Sequence, residues 1–213
     1  MIYLIGGPPK CGKTTLAKSL GGHLGVSWIS ADTLQNIVKM NASKEDHPKL
    51  FPSSHHRTSS NDERFSKYDT KTLVSDYIIQ GKTSYPAIEM IVETYLTDED
   101  DFIVEGYQVT PILADKLSKK FGKENIRAIF LVKHNVAKFI EDIRKTSTPN
   151  DWVVRRTKDE ATFPKIAKMI VEYSDYFEQE SKRYNLPVFQ MDHNFENQIN
   201  EAVKALKCGL GSP

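Results

Sequence analysis

Residues 4–15 read LIGGPPKCGKTT, and this stretch decides the fold. Gly7, four intervening residues and then Gly12-Lys13-Thr14 fit the pattern G-x-x-x-x-G-K-[ST], a loop whose backbone N–H groups close around phosphate oxygens. The apolar run Ile2-Tyr3-Leu4-Ile5 precedes it as a strand, and a helical pattern begins at Lys13. Within residues 8–14 the backbone N–H groups, which Pro8 and Pro9 lack, then face a β-phosphate at the positive end of that helix. The expected nucleotide contacts therefore run through Gly7, Pro8, Pro9, Lys10, Cys11, Gly12, Lys13, Thr14 and Thr15. Lys13, expected in an exposed loop, would bridge β- and γ-oxygens, and the Thr14 hydroxyl would ligate Mg²⁺. A guanine-nucleotide switch would add D-x-x-G and N-K-x-D, and neither occurs anywhere in the sequence. The segment SLGGH, residues 19–23, resembles an ABC-ATPase signature but sits at the end of the first helix, where it reads as a helix cap.

The rest of the composition sets bounds around this loop. A chain of 213 residues is long enough to bury a core without disulfides or metals, and the expectation is one domain over 1–213 with inserted loops. Lys and Arg total 29 against 28 Asp and Glu, so no global field attracts nucleic acid or an anionic membrane, and any anion site is local. Cys11 and Cys208 lie at opposite ends of the chain, one of them inside the phosphate loop, which reads as a reduced, cytoplasmic protein. Met1 leads straight into the first strand with no basic leader and no membrane-length apolar run.

Four later apolar runs, Val26-Ile29, Phe102-Val104, Ile126-Val132 and Leu186-Met191, read as further strands. Helical patterns separate them, at about Lys13–Leu20 (ended by Gly21-Gly22), Thr33–Met40, Thr70–Gln80, Ser84–Tyr95, Thr110–Phe121 and Phe163–Tyr184. Alternation of this kind predicts an α/β protein of three layers, α/β/α, around a five-stranded parallel sheet, with ligands at the carboxyl ends of the strands. In the last helix Ile166, Met169, Ile170, Tyr173, Tyr176 and Phe177 recur at helical spacing and read as core. The polar stretch 41–69 reads as a long loop with at most a short helix, and the tail GLGSP as frayed.

Three further places carry chemistry. In WISADTLQN, residues 28–36, Asp32 stands just beyond a strand end, where a carboxylate could orient an acceptor hydroxyl and take its proton. Asp32 and Gln35 also make a D-x-x-Q capping pair, so Asp32 could simply begin a helix. In DFIVEGYQ, residues 101–108, Glu105 ends an apolar strand at the position where a P-loop protein holds its metal, directly or through water, or grips the acceptor, with Tyr107 beside it. In IRKTSTPNDWVVRRTKDE, residues 143–160, Arg144, Arg155 and Arg156 supply guanidiniums suited to phosphate. The loop FPSSHHRTSSNDERF, residues 51–65, adds His55, His56, Arg57 and Arg64, suited to an acidic acceptor or to solvent.

With these motifs in this order, the chain resembles the P-loop small-molecule kinases, the group of adenylate kinase-like, gluconate kinase-like, chloramphenicol phosphotransferase-like and zeta-toxin-like enzymes. The resemblance rests on GGPPKCGKTT, ISADTL, FIVEGYQ and the arginines of the 143–160 stretch, and spans most of the chain. It implies a P-loop NTPase fold, ATP and Mg²⁺ as cofactors, a substrate-binding insertion at about 41–69 and a lid at about 144–160. It further implies Lys13, Asp32, Arg155 and Arg156 as catalytic, and Arg57, Arg64, Glu105, Tyr107 and Arg144 as substrate-binding. Asp32 matches the base of kinases that phosphorylate hydroxyls, which points to a small hydroxylated or nucleoside-like acceptor. A nucleoside monophosphate kinase and a regulatory or toxin-like nucleotide-binding protein are the alternatives. Many relatives carry Asp where this chain has Glu105, and no cysteine lies in the lid to bind zinc.

Overall fold

Five strands, β1 (Ile2–Gly6), β2 (Trp28–Ser30), β3 (Phe102–Glu105), β4 (Ile126–Val132) and β5 (Val188–Gln190), pair in parallel in the order β2-β3-β1-β4-β5. They are seen in a computed structural model that describes residues 1–146, 148 and 151–208. β1 is buried at every position because it is central and covered on both faces, which is why it reads as a continuous apolar run. The tail 209–213, and Ser147, Pro149 and Asn150 of the expected lid, lie outside the described residues.

α1 (Lys13–Leu24) links β1 to β2. Between β2 and β3 come α2 (Ala31–Asn41), α3 (His47–Leu50), α4 (Pro52–His55), α5 (Asn61–Lys67), α6 (Thr70–Lys82) and α7 (Tyr85–Thr97). α8 (Pro111–Phe121) joins β3 to β4, while α9 (Val136–Thr146), α10 (Trp152–Arg155) and α11 (Thr162–Arg183) precede β5, which α12 (Phe195–Cys208) follows. α1 and α12 cover one face of the sheet; α7, α8 and α11 cover the other. The three-layer α/β/α architecture is the one the sequence implied. α11 buries Ile166, Met169, Ile170, Tyr173 and Phe177, so its tyrosines pack rather than bind, with Tyr173 fully buried and Tyr176 half-buried beside it. Among the described residues no helix is long and apolar enough to cross a membrane.

Three expectations need correction. α1 does not stop at Gly21-Gly22 but runs to Leu24 and ends at Gly25, whose φ of 69° is the left-handed cap. SLGGH is therefore helix interior, and Gly21 is there for close approach, since a Cβ would lie 2.7 Å from the Val26 carbonyl. The stretch 41–69 folds into α3, α4 and α5. Its prolines do not break it: Pro48 and Pro52 sit in first turns, where a missing N–H costs nothing, and Phe51 and Phe65 are buried. α12 is an additional helix beyond those expected, and Ile199, Ala202, Val203 and Leu206 form its buried stripe.

The phosphate loop leaves β1 through a backbone turn that only glycine fits. Gly7 has φ of 131°, and a Cβ on it would stand 2.1 Å from the Leu131 carbonyl oxygen, which belongs to the sheet and cannot move aside. Gly7→Ala is expected to lower stability by about 2–4 kcal/mol, combining left-handed strain with the clash. Urea unfolding checks this, and a midpoint within error of wild type would contradict it.

Candidate active site

The loop turns into α1 at Gly12, so the free N–H groups of the first helical turn open toward the carboxyl end of the sheet. Lys13 is buried rather than exposed, at 8% accessibility, because its chain arches back over the loop and Nζ donates to the Pro8 carbonyl at 2.6 Å. Cys11 lies beneath the loop with Sγ 3.9 Å from the Pro9 carbonyl, and burial pushes its thiol up to about 11. It stays neutral at physiological pH and supplies backbone and packing rather than charge. Pro9, Lys10, Lys13 and Thr14 face the adjoining cleft, whereas Thr15, although exposed, does not line it.

Strand register sets what stands next to the loop. Ile5 pairs with Glu105 and Glu105 with Ser30, so the carboxyl ends of β1, β3 and β2 lie level across adjacent strands. Glu105 is only 3% exposed, and its Oε1 accepts a hydrogen bond from Thr14 Oγ1 at 3.1 Å. A hydroxyl and a carboxylate so joined are hard oxygen donors of the kind Mg²⁺ takes. Among the described residues no group of three or more His, Cys, Asp or Glu could hold a metal ion.

Asp32 lies two residues past Ser30, in the first turn of α2. It is not the cap: Ser30 is, accepting from the Asp32 N–H at 3.4 Å, and the D-x-x-Q pairing does not form. What Asp32 and Gln35 share instead is Gln108. Its Nε2 donates to Asp32 Oδ1 at 2.8 Å and to Gln35 Oε1 at 3.1 Å, a pair of acceptors that orients the amide. Gln35 Oε1 also accepts from the Tyr107 hydroxyl at 2.7 Å, which accepts from Gln80 Nε2 at 3.0 Å, and Gln80 Oε1 accepts from the Ser54 N–H at 2.8 Å. Burial, then neighbouring Tyr77 and Asp32, hold the Tyr107 phenol well above its usual value, so it remains a donor. Gly106 makes room for this chain, since a Cβ there would lie 2.5 Å from Gln108 Oε1 and 2.8 Å from Ala31 Cβ. One carboxylate oxygen of Asp32 is thus fixed, and Oδ2 has no hydrogen bond among the described residues.

These groups line a cleft of about 450 Å³, whose far wall comes from residues of the 41–69 stretch together with Trp152 and Arg156. The two are stitched to each other. Asn61 of α5 donates through its backbone N–H to the Arg156 carbonyl at 2.7 Å and through Nδ2 to the Trp152 carbonyl at 3.0 Å. Asp62 accepts from the Lys158 N–H at 2.9 Å. Asp151, which caps α10 by accepting from the Val153 N–H at 2.9 Å, pairs with Lys10 and so ties this wall to the phosphate loop.

Arg57, Arg64 and Arg156 face the cleft; Arg144 and Arg155 do not. Arg144 is outside it, paired with Glu160 and stacked over Phe163, and Arg155 is exposed. His56 is turned to Asp76, with Nδ1 2.7 Å from Oδ2, and stacks on Tyr68, while His55 is exposed. Gln108, Gln80 and Asn61 were not singled out in the sequence. FIVEGYQ contains Gln108, but no local signal marks a buried amide as the partner of a residue 76 positions earlier.

No family model and no curated protein matches this sequence. Solved structures do resemble it. A gluconokinase from Sinorhizobium meliloti 1021 aligns with a TM-score of 0.55 at 13% identity, covering 96% of this chain and 90% of that one. A sugar kinase from Janibacter sp. HTCC2649 aligns with a TM-score of 0.55 at 12% identity, covering 98% and 95% respectively. At such identities the likeness is one of fold, and the fold is that of the P-loop small-molecule kinases.

Proposed function

We propose that this chain, which has the fold of P-loop small-molecule kinases, transfers the γ-phosphoryl group of ATP to a hydroxyl of a small metabolite, with Mg²⁺. The observation that carries the reading is the convergence on one cleft of Lys13, the Thr14–Glu105 pair and the free oxygen of Asp32. Lys13 and the loop N–H groups bind the donor phosphates, for which the ammonium exchanges the Pro8 carbonyl for phosphate oxygens. Thr14 and Glu105 are the residues that would hold Mg²⁺, which neutralises charge on the phosphates when bound. Asp32 Oδ2 accepts the proton of the acceptor hydroxyl; the acceptor's hydroxyl oxygen bonds to the γ-phosphorus as the bond from the γ-phosphorus to the β,γ-bridging oxygen breaks, and ADP leaves. Gln108 holds Oδ1 so that Oδ2 presents itself to the cleft. An exposed carboxylate at this place repels a phosphate nucleophile, which favours a hydroxyl acceptor over a nucleoside monophosphate.

ADP release from ATP and Mg²⁺, measured across sugars, hydroxy acids, phosphorylated alcohols, nucleosides and nucleoside monophosphates, tests the reading. Turnover with a hydroxyl acceptor is expected. Turnover confined to monophosphates, or ATP binding with no turnover on any acceptor, would overturn it.

The lid arginines give a second check. Arg156, the C-cap residue of α10, enters the cleft, and Arg155, the last residue of that helix, does not. Arg156→Ala is expected to lower kcat by about 10²-fold with a smaller change in the KM for ATP, and Arg155→Ala to stay near wild type. Equal kcat values for the two variants would remove Arg156 from the transfer step.

A further inference from the structure

We infer that the acceptor is a hydroxylated anion, carrying a carboxylate or phosphate that Arg57 and Arg64 bind while its hydroxyl meets Asp32. The inference rests on the kinase reading above and names the substrate class of that same cleft.

Arg64 is the firmest observation. It projects from α5 into the cleft at 5% exposure, with Nη2 donating to Ser53 Oγ at 3.1 Å and to the Ser53 carbonyl at 3.3 Å, and with its guanidinium 5.7 Å from the centre of the Tyr77 ring. Its Nε is buried and has no hydrogen-bond partner among the described residues. A buried guanidinium with no carboxylate is costly, and an anion is what repays it. Arg57 and Arg156 likewise have no ion pair among the described residues, although surface arginines such as Arg144 and Arg183 do. Burial, followed by the charges of Arg57, Arg64 and Arg155, holds the Arg156 guanidinium below its ordinary value, which places like charges against one another at this wall.

The charge in the cleft exceeds what the donor needs. Lys10, Lys13, Arg57, Arg64 and Arg156 line it, opposed among the described lining residues by Asp32 and Glu105 alone. Lys10 has Asp151, Lys13 goes to the donor phosphates, and Glu105 is engaged with Thr14. Arg156 is on the segment tied to the phosphate loop and serves the moving phosphoryl group. Arg57 and Arg64 remain, both from the insertion. The Gln80–Tyr107–Gln35–Gln108 chain fixes this insertion wall, through Ser54, relative to Asp32. Anion and hydroxyl of the acceptor are therefore read on one rigid frame, in a cleft of about 450 Å³ that must also admit the end of the triphosphate. Such a frame selects a small skeleton bearing both groups, and a neutral sugar would leave two guanidiniums unpaired.

The test is calorimetric titration of the full chain, preloaded with Mg²⁺ and a non-hydrolysable ATP analogue so that the phosphate loop is filled, using inorganic phosphate and malonate as probes. One equivalent of at least one probe is expected to bind, and which one tells a phosphorylated acceptor from a carboxylic one. Arg57→Gln and Arg64→Met are each expected to weaken that binding by about 10–100-fold, the worth of a charged hydrogen bond, with analogue affinity changed less than twofold. Arg57 is exposed, so Arg57→Gln carries the test even where Arg64→Met fails to fold. Binding of neither probe, binding unchanged in Arg57→Gln, or an equal loss of analogue affinity would overturn the inference. If wild type fails to bind the analogue, the kinase reading falls. The titration is then made without it: probe binding that survives Lys13→Ala and is lost in Arg57→Gln upholds the anion site, and any other pattern overturns it.

Discussion

Lys13→Ala is expected to keep the fold and lose phosphoryl transfer by about 10³-fold or more. The ammonium acts on charge that moves between β- and γ-oxygens in the transition state, and removal of one such donor costs about 10²–10³-fold in related electrostatic sites. Because Lys13 is the charged donor nearest the loop backbone, the loss is expected at or beyond the upper end. The structural cost is smaller. Lys13 is buried, yet its Nζ bonds a backbone carbonyl, that of Pro8, which can turn to water once the side chain is gone. Stability should fall by about 1–2 kcal/mol. Circular dichroism and a thermal melt beside single-turnover rates separate the two effects. A variant that turns over ATP at near-normal rate would end the assignment of this loop to the donor.

Asp32→Asn is the sharper experiment, because the alternative role for Asp32 was structural. Ser30 caps α2, so the substitution leaves the helix start intact, and the Asn carbonyl still accepts from Gln108 Nε2. Stability is expected within about 1 kcal/mol of wild type. A neutral amide cannot take the hydroxyl proton, and loss of a general base typically costs 10²–10⁴-fold in rate. The expected result is therefore kcat lowered by about 10²–10⁴-fold at nearly unchanged unfolding midpoint. Wild-type kcat on the true acceptor would remove Asp32 from the chemistry and return weight to arginine-based transfer.

The parts of this molecule that depend on neighbours in sequence were legible in sequence. The phosphate loop is contiguous, and its glycines, its lysine and the flanking strand and helix all lie within Ile2–Leu24. β1, the Phe102–Val104 part of β3 and the Ile129–Val132 part of β4 are buried in the parallel sheet and so read as apolar runs, while α11 repeats its apolar residues at the helical period over 22 residues. The insertion was not legible because its helices are short. α3 and α4 have four residues each, too few for a period to show, and one buried ring, Phe51, anchors them.

The amino-acid sequence by itself determined the layered α/β fold, the loop that can cradle phosphate, and a list of charged residues near it. Only the tertiary structure decided which of those residues share a cleft. Arg155 and Arg156 are chemically identical neighbours, and the turn of α10 against α5 sends one to solvent and the other to the cleft. Asp32 changed from a helix cap to a carboxylate steadied by Gln108, because Gly106 lets β3 and α2 approach closely enough for that bond. The physical reason is range. Helical and strand periods report burial over a few residues, whereas partnerships spanning 76 residues (Gln108 with Asp32) or 141 (Lys10 with Asp151) exist once strands are ordered and helices packed.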